Sequence, residues 1–272
     1  MPEKIYDCSF IPDVATVEAF VDFVAIVRQL RRDCPWDREQ THESVKHLLI
    51  EETYEAVEAI DERNWTDLKK ELGDLLLHVV FHAAIAEGDA RFVLREVIES
   101  ESEKLIRRHP HVFGDATVQG VADVLTNWES IKQREGGRKS VLAGVPSHLP
   151  GLLRAYRMQE KAAAVGFDFP TPAEAWKKVE EELHEFGATL GAAGDLNARE
   201  DELGDLLFAL VNFARLSGLQ PENALRRTNA KFQGRVQFIE QKLAETGRSM
   251  GESDLETLDR YWDEAKAAEA SR

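Results

Sequence analysis

Residues 71–76 read Glu-Leu-Gly-Asp-Leu-Leu, and the same hexapeptide stands again at 202–207, 131 positions further on. Upstream of each copy lies a shared acidic pattern, Glu51-Glu52-Thr53-Tyr54-Glu55 before the first and Glu181-Glu182-Leu183-His184-Glu185 before the second, offset by 130. One inserted loop residue reconciles the two offsets. Downstream, Lys104 with Arg108 and Lys231 with Arg235 repeat a basic pair at i, i+4. Three elements recurring in one order mark an internal duplication.

Working outward from these copies, the pattern is helical almost throughout. Apolar residues recur at three- and four-residue spacing, as in Phe20, Phe23, Val24, Val27 and Leu30, the stripe of an amphipathic helix. The Asp33-Cys34-Pro35-Trp36-Asp37 segment interrupts this first helix, and Thr41 and Ser44 offer caps for a second running from about Ser44 to Ile60. Asn64 starts a turn before a third helix, which opens near Thr66, runs to about Ala86 and is ended by Glu87-Gly88-Asp89. A fourth covers roughly Phe92 to Arg108 and stops at His109-Pro110, because proline forces its predecessor out of helical geometry. Strand signals are scarce, so the expected fold is all-α, with two tandem four-helix units. The expected domains are residues 1–113 and 151–272. Between them, 114–150 read as a linker containing turn formers and a short helical piece from Val121 to Gln133.

Composition narrows the function classes. At 272 residues and 43% hydrophobic content the chain can bury a real core. A net charge of −16 repels a polyphosphate backbone unless cations intervene, so no nucleic-acid partner is expected. The apolar run from Leu75 to Ala86 is shorter than the roughly 20 residues of a membrane span and carries His78 and His82. No membrane partner is expected either. The first ten residues lack the basic-then-apolar order of a secretory signal, and two cysteines, Cys8 and Cys34, make a disulfide framework improbable. The cytoplasm is the expected compartment.

The chemistry lies in the acidic copies. On a helix Glu52 and Glu55 share a face, as do Glu71 and Asp74 on the next, and antiparallel packing would make the four carboxylates converge. Like charges so placed repel, and a divalent cation resolves the conflict. Hard oxygen ligands suit Mg²⁺, with Mn²⁺ as a possible substitute, and Mg²⁺ takes substrate phosphates as remaining ligands. A polyphosphate substrate follows, with metal-activated water as nucleophile and Lys231 and Arg235 to neutralise phosphate oxygens. A single Glu-x-x-Glu is ordinarily a solvated face. Here the motif is repeated and Glu71 and Asp74 border a strongly apolar segment, which solubilisation explains poorly. Gly73 and Gly204, inside helices where glycine costs about 1 kcal/mol against alanine, suggest a close approach by another helix or ligand, with ordinary packing as the alternative. His78 and His82 stand at i, i+4 as zinc ligands would, yet the second copy has Ala209 and Phe213 there, which favours core or interface histidines. Cys34 lacks an identifiable histidine partner and is not read as a nucleophile.

The run Cys34-Pro35-Trp36-Asp37-Arg38-Glu39-Gln40-Thr41-His42, both acidic copies, and Arg107-Arg108-His109-Pro110-His111-Val112-Phe113 together closely resemble the MazG nucleoside triphosphate pyrophosphohydrolases. Asn127-Trp128-Glu129-Ser130-Ile131-Lys132, Ser140-Val141-Leu142 and Val165-Gly166-Phe167-Asp168 look like that family's two-domain bacterial form. The resemblance implies Mg²⁺-dependent hydrolysis of ribo- and deoxyribonucleoside triphosphates to monophosphate and pyrophosphate, by a homodimer of intertwined MazG-like units. It assigns Mg²⁺ to Glu182, Glu185, Glu202 and Asp205, with Glu181 in a supporting or base role and Glu182 and Glu185 counted with it as catalytic. Glu52, Glu55, Glu71 and Asp74 are the counterparts in the first copy. By the same resemblance Lys178, Lys231 and Arg235 match phosphate-contacting positions, Arg199 lies in the loop leading to the second acidic pair, and Trp262 matches an aromatic beside the nucleotide. A structural anchor for the last helix is the alternative for Trp262. The chain departs from the family at Phe169, often tryptophan, and at Gly234, often arginine, which puts base preference and phosphate affinity in question. The second copy is the expected working unit. A di-iron carboxylate bundle would need Glu-x-x-His motifs that neither copy offers, and a nucleotide-binding regulator that does not turn its ligand over is the remaining alternative.

Overall fold

The computed structural model describes residues 13–121, 123–124, 127–128, 131, 140–190 and 195–270. Among them all regular structure is helical, as the periodicity predicts, and no helix is long and apolar enough to cross a membrane. The chain divides into two compact units, Met1–Gly136 and Gly137–Arg272. Cys8, Glu129, Ser130, Lys132 and Gln133, on which parts of the sequence reading fell, lie outside the described residues.

The first unit holds α1 (Val14–Asp33), α2 (Pro35–Glu39), α3 (His42–Asp61), α4 (Trp65–Gly88), α5 (Leu94–Arg108) and α6 (Pro110–Phe113). Its boundaries follow local chemistry. Asp13 caps α1 by accepting from the Thr16 N–H at 2.8 Å. Thr41 and Ser44 cap α3 reciprocally, each side chain accepting from the other's backbone N–H. Asn64 caps α4 through the Asp67 N–H at 3.2 Å. Pro35 and Pro110 each open a helix at its first position, where a missing N–H costs nothing. Helix α5 begins later than the pattern suggests, because Glu96 reaches back to accept from the Val93 N–H at 2.9 Å and fixes the start there. Helices α3 and α4 pack along each other, and α1 lies on α4. Their shared core is Val27, Val45, Val80, Phe81 and Ile85, flanked by Phe23, Val24, Leu48, Leu77 and Leu94. Phe23, Val24 and Val27 of the first stripe therefore enter the core, whereas Leu30 stays exposed.

The second unit holds α7 (Gly151–Ala163), α8 (Pro172–Thr189), α9 (Leu196–Leu216), α10 (Pro221–Glu245), a 3₁₀ turn at Met250–Glu252 and α11 (Leu255–Ala270). Thr171 caps α8 and Asp195 caps α9. Helices α8 and α9 form the central pair, α7 packs on α9, and α10 packs on α11 and α7. Ala175, Val179, Ala209, Val211, Ile239, Leu243 and Ala265 are its buried apolar residues.

Residues read as linker pack at both ends. Trp128 meets His109 edge-on at 4.8 Å and lies under the Arg108 guanidinium, while the Lys161 ammonium donates to the Ala143 carbonyl at 2.9 Å. No other helix of the chain closes on Gly73 or Gly204: among the described residues a Cβ at either position would meet nothing within 4 Å.

Candidate functional site

In the second unit α8 presents Glu182 and Glu185, and α9 presents Glu202 and Asp205, each pair on one helical face. Packing of α8 along α9 brings the pairs together. Carboxylate oxygens of Glu182, Glu202 and Asp205 lie within 4.8 Å of one another, and so do those of Glu181, Glu182 and Glu185. Glu182 belongs to both groups and is only 6% exposed. Burial, followed by repulsion from Glu185, Glu182, Asp205 and Asp201, holds the Glu202 carboxyl above the usual carboxylate range. Lys178, one turn before Glu182, donates to Glu181 at 2.8 Å and reaches Glu182 at 2.5 Å. Hydrogen bonding to these carboxylates raises its ammonium well above the ordinary lysine range.

This donor set fits a divalent cation. Oxygens bound 2.0–2.1 Å from Mg²⁺ lie at most about 4.2 Å apart. Carboxylates already within 4.8 Å of one another reach that spacing by small side-chain rotations, and the repulsion registered at Glu202 is what a cation would relieve.

The first unit repeats the arrangement with differences. Glu52, Glu55 and Glu71 converge within 4.8 Å, and Asp74 stands outside that tight group. Its charge is nevertheless felt: Glu52 is raised by burial and then by Asp74, and Glu55 by burial and then by Glu71. The position corresponding to Lys178 is Leu48, a residue packed against the core, so this cluster lacks the lysine of its counterpart. Nearby, His78 is buried, and His42 and His82 stack with ring centroids 5.0 Å apart and Nδ1 atoms 2.7 Å apart. Burial pushes the His78 and His82 imidazoles below their ordinary range. A buried His78 beside a partly buried His82 is in keeping with the reading of the pair as core or interface histidines. Cys34 is a partly buried free thiol at the α1–α2 junction.

Beside the second cluster opens a cavity of about 610 Å³. Its apolar wall includes Leu142, Met158, Phe167, Phe169 and Phe208, its polar wall Gln159, Asp168, Asn212 and Arg215, and Lys178, Glu182 and Asp205 also line it. Sequence dictates how the wall turns. Gly166, at φ +86°, lets the chain reverse after α7, with the Gly166 N–H donating to Ala163 O at 2.9 Å and the Phe167 N–H to Ala162 O at 3.1 Å. Asp168 is thereby delivered to an ion pair with Arg215, which also donates to Asn212 Oδ1 at 2.7 and 3.1 Å.

Of the remaining predicted substrate contacts, Lys231, Arg235 and Trp262 gather elsewhere in this unit and Arg199 stands apart from them. Arg235 is held by Glu269 through a bidentate pair, Nε to Oε1 at 3.0 Å and Nη2 to Oε2 at 2.6 Å, and its guanidinium lies 5.0 Å above the Trp262 ring. Trp262 also packs on Phe232 at 5.5 Å, and the Lys231 charge helps to lower the Glu269 carboxyl. Arg199 stands in the first turn of α9 rather than in the loop before it, because the Asp195 cap starts the helix earlier, and it donates to Thr189 O at 3.3 Å, tying the start of α9 to the end of α8. Lys231, Arg235, Trp262 and Arg199 do not line the cavity. Sequence reasoning missed Gln159, Asn212, Arg215 and Glu269. Glu269 sits in an alanine-rich terminal helix with no motif around it, whereas Gln159 and Arg215 carry a signal only once α7 is laid on α9.

Known proteins match this chain along most of its length. A family model described as the MazG nucleotide pyrophosphohydrolase domain matches residues 40–113. The nucleoside triphosphate pyrophosphohydrolase/pyrophosphatase MazG of Thermotoga maritima is 45% identical over 254 residues, covering 92% of this chain and 96% of that protein. The nucleoside triphosphate pyrophosphohydrolase of Escherichia coli K12 is 41% identical over 257 residues, covering 92% and 98%. YabN of Bacillus subtilis, an uncharacterised protein, is 46% identical over 254 residues, and there 92% of this chain covers only 52% of the relative.

Proposed function

Because the chain belongs to the MazG family of nucleotide pyrophosphohydrolases, we propose that it hydrolyses nucleoside triphosphates, ribo- and deoxyribo-, to the monophosphate and pyrophosphate with Mg²⁺, and that the second unit does this work. The observation that carries the reading is the group of Glu182, Glu202 and Asp205, of which Glu182 and Asp205 line, with Lys178, a cavity large enough for a nucleoside. The first unit has a comparable carboxylate group and Leu48 in place of that lysine.

Glu182, Glu185, Glu202 and Asp205 would hold Mg²⁺, or Mn²⁺ in its place. The cation would screen the phosphate oxygens and make water acidic enough to attack at neutral pH. The rest falls to the chain. Lys178, drawn off Glu182, would meet a phosphate oxygen as a point charge. Water adds to phosphorus, the bond joining the α and β phosphates breaks, and pyrophosphate leaves. Glu181, exposed and already hydrogen-bonded to Lys178, takes the proton that water gives up. Lys231, Arg235 and Trp262 form a second basic and aromatic patch for the phosphates, with Glu269 paired to Arg235. Arg199 acts through the backbone by fixing where α9 begins relative to α8.

Leu183, Leu203 and Leu207 leave an apolar stripe exposed on the α8–α9 pair, which supports assembly as a homodimer. Sedimentation at twice the chain mass is the expected result.

The deciding test is incubation with each common nucleoside triphosphate, with and without Mg²⁺, resolving monophosphate plus pyrophosphate from diphosphate plus phosphate. Glu185→Ala should abolish turnover and Glu55→Ala should leave it. Diphosphate products, or turnover surviving both substitutions together, would overturn the assignment.

A further inference from the structure

We infer that the cavity in the second unit is where the nucleobase is read, and that Gln159 reads it by accepting a hydrogen bond from an N–H on the base's Watson–Crick edge. This rests on the proposed triphosphate hydrolysis and adds to it the residue that discriminates among bases.

Gln159 is 7% exposed on α7 and lines the cavity. Its Nε2 donates to the Phe208 carbonyl at 2.8 Å, which fixes the orientation of the amide. Its Oε1 is then a buried acceptor that no described group satisfies. A buried acceptor without a donor is costly and calls for a partner. Across the cavity wall, Arg215 takes the Asn212 Oδ1, so the part of that amide left for a ligand is its donor end. An acceptor and a donor in an otherwise apolar space lined by Phe167, Phe169 and Phe208 suit a flat heteroaromatic ring carrying both functions.

A nucleobase is favoured over any other flat ring because Lys178, Glu182 and Asp205 belong to the same wall. A ring seated there has its triphosphate at the carboxylate cluster. The volume of about 610 Å³ is that of a small-molecule site. The other candidate platform, Trp262, has Arg235 above its ring and Phe232 packed against it, and neither Trp262 nor Arg235 lines this cavity.

The test compares kcat/KM of the full chain for ATP against purine riboside triphosphate, which lacks the amino group, and for CTP against the 2-pyrimidinone analogue, which lacks it likewise. The wild type should prefer each amino base by roughly 10- to 100-fold, because the analogue leaves Oε1 unpaired. The preference should reside in KM, the base being remote from the reacting phosphorus. Gln159→Leu should bring each pair to within about 3-fold, through loss on the amino base. A wild type that treats the members of each pair alike refutes the inference with no variant needed, as does a folded Gln159→Leu that keeps the preference. If no triphosphate is turned over, the hydrolase reading fails by itself. The cavity is then judged by calorimetric titration with adenosine and purine riboside: tighter adenosine binding upholds it, and equal or absent binding ends it.

Discussion

Replacing Lys178 by methionine should make the cation-free protein less stable and, in the same stroke, make it bind Mg²⁺ more tightly. The lysine neutralises Glu182, whose side chain is 7% exposed, while its own is 39% exposed. Removing one partner of a fully buried pair costs about 3–5 kcal/mol, and exposed pairs are worth under about 1. With one partner buried and the other half in water, a loss of about 1–2 kcal/mol is expected. For a unit the size of Gly137–Arg272 that lowers the melting temperature by about 3–8 °C. In saturating Mg²⁺ the cation supplies the missing counter-charge, so the deficit should largely close. The thermodynamic cycle then requires the nucleotide-free variant to bind Mg²⁺ about 5- to 30-fold more tightly. Calorimetric melts in chelator and in Mg²⁺, with a Mg²⁺ titration, read both sides of the cycle. An equal deficit in both conditions, or weaker Mg²⁺ binding by the variant, would show that lysine and cation do not share Glu182, and the proposed metal set would lose its central ligand.

Two further outcomes follow from neighbouring charges. The Glu202 carboxyl is raised by burial and like-charge repulsion, so its ionised form is worse off in the folded chain than in the unfolded one. That penalty is full above the raised value, shrinks as pH falls through it, and is gone below the unfolded value of about 4; Glu202→Gln should therefore raise the melting temperature in chelator at pH 7.5 and have no such effect near pH 4, and a variant that melts lower at pH 7.5 refutes the reasoning. Asp168→Asn should cost about 2–3 kcal/mol in urea unfolding, because the Arg215 side chain is only 11% exposed and would keep its charge with just Asn212 beside it; a loss below about 0.5 kcal/mol would mean that water already screens that pair.

The elements of this fold were legible because they are set locally. The cap at Thr41, the turn at Asn64, the breaks at Pro35 and Pro110 and the three-residue spacing of the acids are all short-range facts, and the duplication pointed to the acids as a set. What stayed hidden depends on residues brought together across the chain. His42 and His82 are 40 positions apart and meet only when α3 lies on α4. Glu269 neutralises Arg235 across 34 positions. The cavity needs α7, the Gly166 turn and residues near 142 at once. The glycines gave less: no other helix of the chain closes on Gly73 or Gly204 among the described residues, so their place inside helices has no packing partner within the unit.

The duplicated carboxylate clusters also bear on how this chain can change over generations. Two scaffolds carrying the same acids let one half carry the chemistry while substitutions accumulate in the other. Divergence should then collect in whichever half is released. The two halves already differ where Leu48 stands in the place of Lys178, and where His78 and His82 stand in the places of Ala209 and Phe213: one half joins its acids to a packed apolar residue, the other joins them to a lysine.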